Sequence, residues 1–494
     1  MSLAVNAETF DCCVIHTSIK WNIELISSVL DELKVVSVNR LVTRSKWIDV
    51  ASRRMTLTES EGYWSLFMET RSSLLGLTGD WIDFPTLGIL LLCQCYPNVR
   101  VRAESSNRSE ALVQSLSTTA VIQTAQSQSA SPVSRNRHVL INLPKILRDN
   151  SSILQFIVEH IPHYVDMLTN DMSKVEDFEI SREQLERLEI LLIPTTGRSV
   201  ADILLSGQSS ITASALKSAL IKRIYWDDTL FPPQEINSGP SYLSAPPSVR
   251  NNIFISNQSR RSILRDEASD EVIKSLYLIN CTETTVFVAG IIQNAVIIGC
   301  SDCEVVLLAT TGTLILSHCD KVTIRSVASS VRLENSTECT ACVYTTRGII
   351  LTGDTRGVQL SPFNVIYSLH SAVLAKAGLH PDSSHATLWS QPLCLTLSDS
   401  PYVLVSPERF RLISFPEFSP AEKQDLAVCL PQLYADGLAR KIASLETLRS
   451  EINLIDDASA MKMNAIISGH FREWISANNK TRALMELVKL RSMS

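Results

Sequence analysis

The feature that most constrains this chain is a set of short apolar triplets that recur between residues 276 and 360. Successive triplets begin 20, 18, 17 and 18 residues apart, and each is followed by a polar turn and a second short run rich in β-branched residues. A unit of about 18 residues without a helix cannot bury its own apolar face, whereas stacked units bury a continuous core. The pattern predicts a right-handed parallel β-helix. The triplets are Leu276-Tyr277-Leu278, Val296-Ile297-Ile298, Leu314-Ile315-Leu316, Val331-Arg332-Leu333 and Ile349-Ile350-Leu351.

The central residue of each triplet should face away from the interior, because successive strand residues point to opposite sides. These residues predict an apolar stripe that contains one guanidinium and needs a cover, either from another segment such as 361–415 or from a partner. Two interpretations of the guanidinium stay open: an arginine finger for a nucleotide-hydrolysing partner, or a solvated or salt-bridged side chain beside Glu334. The central residues are Tyr277, Ile297, Ile315, Arg332 and Ile350.

Two Cys-x-x-Cys motifs, Cys300/Cys303 and Cys339/Cys342, look like half-sites for zinc when taken alone. The repeat offers another explanation, because Cys281, Cys300 and Cys319 share one phase of the coil while Cys303 and Cys339 share another. Equivalent positions in a β-helix lie above one another at the strand spacing of about 4.8 Å. The sequence therefore predicts columns of buried thiols and no metal site.

Outside the repeats, the chain alternates between helical patterns and segments of low apolar content. Apolar residues at helical spacing predict helical regions over 1–102, 138–230 and 416–494, with the second packed against the first. A Ser/Thr/Gln-rich linker is predicted over 103–137 and a Pro/Ser-rich linker over 231–262. The β-helix with its capping segment is assigned to 263–415, in which 365–378 reads as a short helix over the open end of the solenoid.

Composition excludes several classes of protein. A net charge of −6 without a long basic run argues against binding to nucleic acid. The most apolar run, Leu87 to Cys93, is far shorter than the roughly 20 residues that span a bilayer, so membrane insertion is not expected. Acidic residues at Glu8 and Asp11 do not fit a signal peptide, which predicts a cytoplasmic protein. Familiar nucleotide-binding, hydrolase and metalloprotease motifs are absent, so neither a cofactor nor an enzyme is expected.

The coils from Leu276 to Leu360 resemble the C domain of the tubulin-binding cofactor C family, through their Asn/Gly/His-Cys turns, their triplets and the following segment. That segment runs Leu360-Ser361-Pro362-Phe363-Asn364 and leads to Tyr367. The resemblance implies an α+β multidomain protein whose C-CAP/cofactor C-like β-helix is flanked by helical regions. Further motifs of one branch of the family extend the likeness over most of the chain: Tyr63-Trp64, Ser181-Arg182-Glu183, Gly378-Leu379 before Trp389, and Phe471-x-Glu473-Trp474-Ile475.

In the family, a Gln-Gln-hydrophobic-Arg coil supplies an arginine finger for tubulin or an ARF-like small GTPase; this chain keeps Arg332 but has Ser329 and Ser330 in place of the glutamines. The resemblance implies a non-enzymatic cytoskeleton-associated protein at the centrosome, basal body or spindle pole, with centrosomal or basal-body partners and effects on centrosome and Golgi positioning and cell morphology. The alternative is a GTPase-activating module for tubulin or an ARF-like GTPase. Actin-monomer binding rests on likeness of fold to the cyclase-associated proteins alone. Candidate partner-binding residues are Arg332, Ile297, Ile315, Ile350 and Phe363.

Overall fold

The structure is a computed structural model that describes most of the chain. The chain divides into two compact units. The described residues are 2–15, 17, 19–37, 40–77, 79–96, 150–169, 178–195, 197–228, 230–231, 251–265, 272–396, 401–414, 426–453 and 457–477. The predicted linker over 103–137 lies outside them. One unit comprises Met1–Val405 and Arg411–Pro431, and the other comprises Ser406–Phe410 and Gln432–Ser494. No helix among these residues has the length and apolar content needed to span a membrane.

The first unit begins with a helical layer, and several of its helices start at a side-chain cap. At α2 (Ile23–Val36), for example, the Asn22 side chain accepts a hydrogen bond from the Leu25 amide at 2.8 Å, and Ile26, Val29 and Leu33 then form the buried face. The helices are α1 (Ala7–Cys13), α2 (Ile23–Val36), α3 (Arg44–Ala51), α4 (Leu57–Leu75), α5 (Phe84–Cys93), α6 (Asn150–Thr169), α7 (Arg182–Glu186), α8 (Val200–Leu205) and α9 (Ala213–Arg223), with a 3₁₀ turn at Arg187–Ile190.

Short strands that the helical periodicity does not predict connect these helices. Strands of two or three residues give no recognisable alternation, so sequence pattern alone misses them. The strands are β1 (Leu3–Val5), β2 (Leu41–Thr43), β3 (Trp81–Asp83), β4 (Glu179–Ser181), β5 (Leu192–Pro194), β6 (Ser210–Thr212) and β7 (Ile224–Tyr225). Strands β2 and β3 pair antiparallel, as do β4 and β6, while β1 lies between β5 and β7.

The helical regions on either side of residues 97–149 share a single hydrophobic core. Phe10 and Tyr96 from the first region pack edge-to-face with Phe156 from the second, at ring-centroid distances of 6.1 and 5.3 Å. Aromatic pairs of this geometry stabilise a core beyond the area that they bury. The two regions therefore form one folded layer rather than two separate domains.

The rest of the first unit is a parallel β-helix of about six turns, as the triplet pattern predicts. The strands are β8 (Asn252–Ser256), β9 (Ser262–Arg265), β10 (Ile273–Ile279), β11 (Thr285–Ile298), β12 (Glu304–Ser317), β13 (Thr323–Glu334), β14 (Thr340–Thr345), β15 (Ile349–Gly353), β16 (Val358–Pro362), β17 (Val365–Ile366), β18 (Leu393–Thr396), β19 (Tyr402–Leu404) and β20 (Ile413–Ser414).

The long strands β11, β12 and β13 bend in the middle, so each contributes to two faces of the solenoid. Face A contains β9, the first halves of β11 to β13, β14, β16 and β19. Face B contains β8, β10, the second halves of β11 to β13, β15 and β18.

The β-helix begins before the boundary predicted at residue 263. Strand β8 pairs in parallel with β10, so Asn252–Ser256 already belongs to the first coil rather than to a linker over 231–262. Residues 232–250, the Pro-rich part of that predicted linker, lie outside the described residues. At the other end, β18 and β19 add a further coil within 393–404.

The polar turns of the coils require backbone conformations that few residues adopt. Positive φ recurs at the start of each turn, with 50° at Asn280, 63° at Gly299, 52° at His318 and 47° at Asn335. Glycine and, among other residues, asparagine tolerate this left-handed region best. The recurrent Asn, Gly or His before Cys281, Cys300, Cys319 and Ser336 is therefore explained by turn geometry.

Cys281, Cys300 and Cys319 stack as the repeat predicts, whereas Val322 lies between Cys303 and Cys339 in the other column. Single-residue parallel bridges align Thr282, Ser301 and Asp320, which places the preceding Cys281, Cys300 and Cys319 in register. All three thiols are buried and free, and burial raises the pKa of Cys300 and Cys319 well above the usual thiol value. Within the described residues, no group of three or more His, Cys, Asp or Glu side chains is arranged to hold a metal ion.

The helix α10 (His370–Lys376) covers the side of the β-helix and not its open end, contrary to the sequence-based expectation. Val373 and Leu374 of α10 pack against Phe287 and Val306 on the outer side of face A. The imidazole Nε2 of His370 lies 2.9 Å from the Leu308 carbonyl oxygen. The helix lies alongside the strands because the outward apolar row on face A would otherwise be exposed to water.

Candidate functional site

The candidate site is the outward column of face B that contains Arg332. Strand register aligns Phe254, Tyr277, Val296, Ile315, Arg332 and Ile350 from successive coils. The prediction that Ile297 belongs to this column is wrong, because Tyr277 pairs with Val296 and Ile297 pairs with Leu278 and Leu316. A shift of one residue reverses the direction of a side chain, so Ile297 belongs to the opposite, inward-facing row.

The helix α1 covers this column. The cover is therefore not the segment 361–415 that the sequence suggested. All seven residues of α1 are buried. Cys12 joins the apolar cluster formed by Phe254, Tyr277 and Ile315, and the Phe254 and Tyr277 rings stack at 4.8 Å with an interplanar angle of 5°. The apolar stripe is thus closed within the chain itself.

Polar contacts fix the position of α1 along the column. Ser275 Oγ donates to Glu8 Oε1 at 2.5 Å, and Tyr277 Oη donates to Asp11 Oδ2 at 3.2 Å. Hydrogen bonds to carboxylates are stronger than those between neutral groups, and more so where water is excluded. Because Glu8 and Asp11 are three residues apart, they lie on the same side of the helix, which faces the β-helix.

Arg332 caps the carboxyl-terminal end of α1. Its Nη1 donates to the Cys12 carbonyl oxygen at 3.0 Å, its Nη2 donates to the Asp11 carbonyl oxygen, and its Nε lies 3.7 Å from Glu334 Oε2. The last carbonyls of a helix have no partner within the helix and carry partial negative charge. A guanidinium with several donors in one plane satisfies two of them at once. With 1% of its surface exposed, Arg332 is a structural clamp in this conformation.

The other side of α1 is held by the helical layer. The Asn6 amide donates to the Leu191 carbonyl at 2.8 Å, and Asn6 Nδ2 donates to the Ile190 carbonyl at 3.1 Å. Phe10 packs against Tyr96 with the ring centroids 5.2 Å apart. The helix α1 is therefore a wedge, buried between the helical core and the β-helix, and it cannot leave one without leaving the other.

A second contact between the layer and the β-helix comes from α4. Arg347 Nη1 lies 3.1 Å from the buried Glu69 Oε2, and Ser73 Oγ donates to Asn294 Oδ1 at 3.0 Å. Burial raises the pKa of the Glu69 carboxyl, an effect that the Arg347 charge partly opposes. The contact leaves no room at Gly312, where an added Cβ would lie 2.5 Å from Asn294 Oδ1.

Ser329 and Ser330 occupy the positions where the family has glutamines. Ser329 makes hydrogen bonds within the β-helix. Ser329 Oγ donates to the Thr311 carbonyl at 2.7 Å, and the Ser329 carbonyl accepts from Thr345 Oγ1 at 2.8 Å and from the Arg347 amide at 2.9 Å. Ser330 is buried. These contacts tie neighbouring coils together at the bend between faces A and B.

The structure brings together only part of the predicted set of site residues. Arg332, Ile315 and Ile350 share the outward column of face B, whereas Phe363 is buried on the side of face A, with its ring centroid 5.0 Å from that of His370. Sequence reasoning missed the residues of α1 that complete the site, because nothing in the local pattern connects residue 11 to residue 332. The missed residues are Glu8, Asp11 and Cys12.

Comparison with known proteins assigns the β-helix to a family. Residues 273–392 match the model of the family described as tubulin binding cofactor C. The chain is similar to the TBCC domain-containing protein 1 of Xenopus tropicalis, at 23% identity over 42% of this chain and 38% of the relative. It is also similar to the protein of that name from Danio rerio, at 22% identity over 50% of this chain and 42% of the relative. The aligned region thus spans less than half of either relative.

Proposed function

We propose, from the premise that residues 273–392 form a tubulin binding cofactor C domain, that this chain is a non-enzymatic cytoskeleton-associated protein. It acts at the centrosome, basal body or spindle pole, where it contributes to centrosome and Golgi positioning and to cell morphology. The β-helix serves as a rigid platform, and the helical regions direct it to centrosomal or basal-body partners. Similarity to the relatives supports the cytoskeletal part of this proposal, and the resemblance noted in the sequence supports the location.

The proposal that the protein is non-enzymatic rests on the contacts and burial of Arg332. An arginine finger must reach the phosphates of a bound nucleotide, where it stabilises the charge that develops during transfer. Here both Nη atoms are engaged by carbonyl oxygens of α1, and the side chain is buried. Freeing it would require α1 to leave the helical core as well as the column.

Single-turnover GTP hydrolysis tests this proposal against the alternative of a GTPase activator. Tubulin and a panel of ARF-like GTPases would be assayed with the full chain, with Arg332→Ala and Arg332→Lys, and with Arg356→Ala as an exposed control whose guanidinium pairs with Asp354. We expect no stimulation by any of the four proteins. Stimulation that falls on the order of 10³-fold in both Arg332 variants and persists in the control would establish an arginine finger instead.

The proposed location has its own test. The full chain with a fluorescent tag should coincide with a centrosome or basal-body marker through the cell cycle, and its depletion should displace the Golgi relative to that marker. A diffuse distribution together with unchanged organelle positions would contradict the proposal.

A further inference from the structure

The second unit is built on two long helices, α11 (Gln432–Asn453) and α12 (Asp457–Ala477). The chain's own segment 406–410 covers the first turns of α11. Tyr434 packs on Phe410 with ring centroids 5.3 Å apart, an added Cβ at Gly437 would lie 3.0 Å from Pro407 Cβ, and Lys441 Nζ donates to the Phe410 carbonyl at 2.6 Å. These contacts cover one side of α11 at its start.

The adjoining side of α11, which has Lys441 at its edge, continues without a cover among the described residues. Its side chains recur at alternating intervals of four and three residues, the spacing of the a and d positions of a coiled coil. Ile442 is 48% exposed, Leu445 64% and Ile452 38%. Ile466, Phe471 and Trp474 of α12 are exposed as well. We call the face the α11 seam; it comprises Leu438, Ile442, Leu445, Arg449 and Ile452.

The charges that flank the seam can pair with opposite charges on a second copy of the chain. The helix α11 carries three acidic and three basic residues and no net charge, so a strongly charged partner would gain nothing from it. Lys441 precedes Ile442, and Glu446 follows Leu445 on the other flank. In a parallel pair of helices, the residue before an a position on one helix faces the residue after the next d position on the other, five residues later in sequence. Because an ammonium has three donors, Lys441 can bond both Phe410 and a Glu446 of another copy.

We propose that the α11 seam pairs with the α11 seam of a second copy of this chain, as a short parallel two-stranded coiled coil. With Ile442 at an a position and Leu445 at the next d position, the seam has the combination that favours two strands. Arg449 occupies the following a position, where a polar residue fixes register and weakens the pair. The pair joins two β-helix domains in one assembly, and it stands independently of the proposed cytoskeletal function.

Sedimentation velocity of the full chain across the micromolar range tests the pairing. The unmodified chain should dimerise and Leu445→Glu should be monomeric, because the change places a charge in the seam. Thr447→Glu, on the opposite side of the same helix, should still dimerise. Since both positions are exposed, circular dichroism and thermal unfolding should show that all three proteins fold alike.

Two further variants test the register. Arg449→Ile should lower the dissociation constant by about tenfold or more, because an aliphatic pair replaces two facing charges. Lys441→Glu should weaken the dimer, and adding Glu446→Lys should restore it. A chain that is monomeric at every concentration, a dimer that survives Leu445→Glu, or a dimer abolished by Trp474→Glu alone would overturn the proposal and assign the cover to another segment or another protein.

Discussion

Arg332 Nη1 donates to the Cys12 carbonyl oxygen at 3.0 Å, across 320 positions of sequence. This bond joins the third from last coil of face B to the end of the first helix of the chain. Resemblance to the family implies that this guanidinium reaches a GTPase. In this structure it caps the carboxyl-terminal end of α1 instead. The same contact closes the apolar column beneath α1, so it links the stability of the helical layer to that of the β-helix.

Arg332→Ala should destabilise the first unit by about 3 kcal/mol or more, because it leaves two helix carbonyls and Glu334 buried with fewer donors. Arg332→Lys should lose less, since an ammonium can reach one carbonyl but not both in a plane. Urea unfolding followed by tryptophan fluorescence would measure both. Arg356→Ala, at an exposed pair with Asp354, should change stability by about 0.5 kcal/mol or less; an equal effect at the two sites would refute the clamp.

Gly312→Ala should weaken the contact between α4 and the β-helix. The added Cβ would lie 2.6 Å from the Gln293 carbonyl oxygen and 2.8 Å from Ser73 Oγ, and the backbone atom cannot move aside easily. We expect a loss of about 1 to 3 kcal/mol. Gly290→Ala is the matched control one coil earlier, where the nearest atom, Ile273 Cδ1, is 3.8 Å away. Comparable thermal unfolding of the two variants would contradict this account.

Cys319→Ser should be tolerated with a loss of about 1 kcal/mol or less, because the next coil carries Ser336 at the equivalent position. Ser336 Oγ there donates to the Glu334 carbonyl at 2.8 Å and accepts from the Cys319 amide at 3.2 Å. Cys319→Leu should cost more, since the column is closely packed. Thermal unfolding with and without a chelator should be identical; a chelator-induced drop would point to a metal.

Acid should weaken the contact between α10 and face A through His370. Burial lowers the pKa of this imidazole below its ordinary value of 6.5, and its hydrogen bond to Leu308 offsets only part of the shift. The folded protein therefore takes up this proton less readily than the unfolded chain, so stability is lost as the pH falls below 6.5. His370→Gln should show a smaller loss of stability between about pH 7 and pH 5.

Exposed His380 provides the control for this pH effect. His380→Gln should keep the full loss of stability on acidification, whereas His370→Gln reduces it. Denaturant titrations at several pH values, with the unmodified chain alongside, would measure the difference. An unchanged pH dependence in His370→Gln would remove His370 as its source.

The periodic part of the fold was accessible from sequence because each coil repeats the same local requirements. Alternating strand residues, left-handed turn positions and stacked cysteines all follow from contacts between equivalent residues of adjacent coils. The register is less well defined by sequence: the apolar pattern places the triplet at Val296 one residue too late, because Ala295, Val296, Ile297 and Ile298 are all apolar and show no alternation. Only strand pairing shows that Val296, and not Ile297, faces α1.

By itself, then, the sequence determined the β-helix, its column of stacked cysteines and the helical character of the regions around it, because these depend on short-range pattern and on repeats. Tertiary structure alone decided what covers Arg332. The helix α1 is short, acidic at Glu8 and Asp11, and carries no motif that marks a partner. Its place depends on the shape of the groove between two cores and on carbonyls that become acceptors only once the helix has formed. Such complementarity between distant segments exists only in the folded chain.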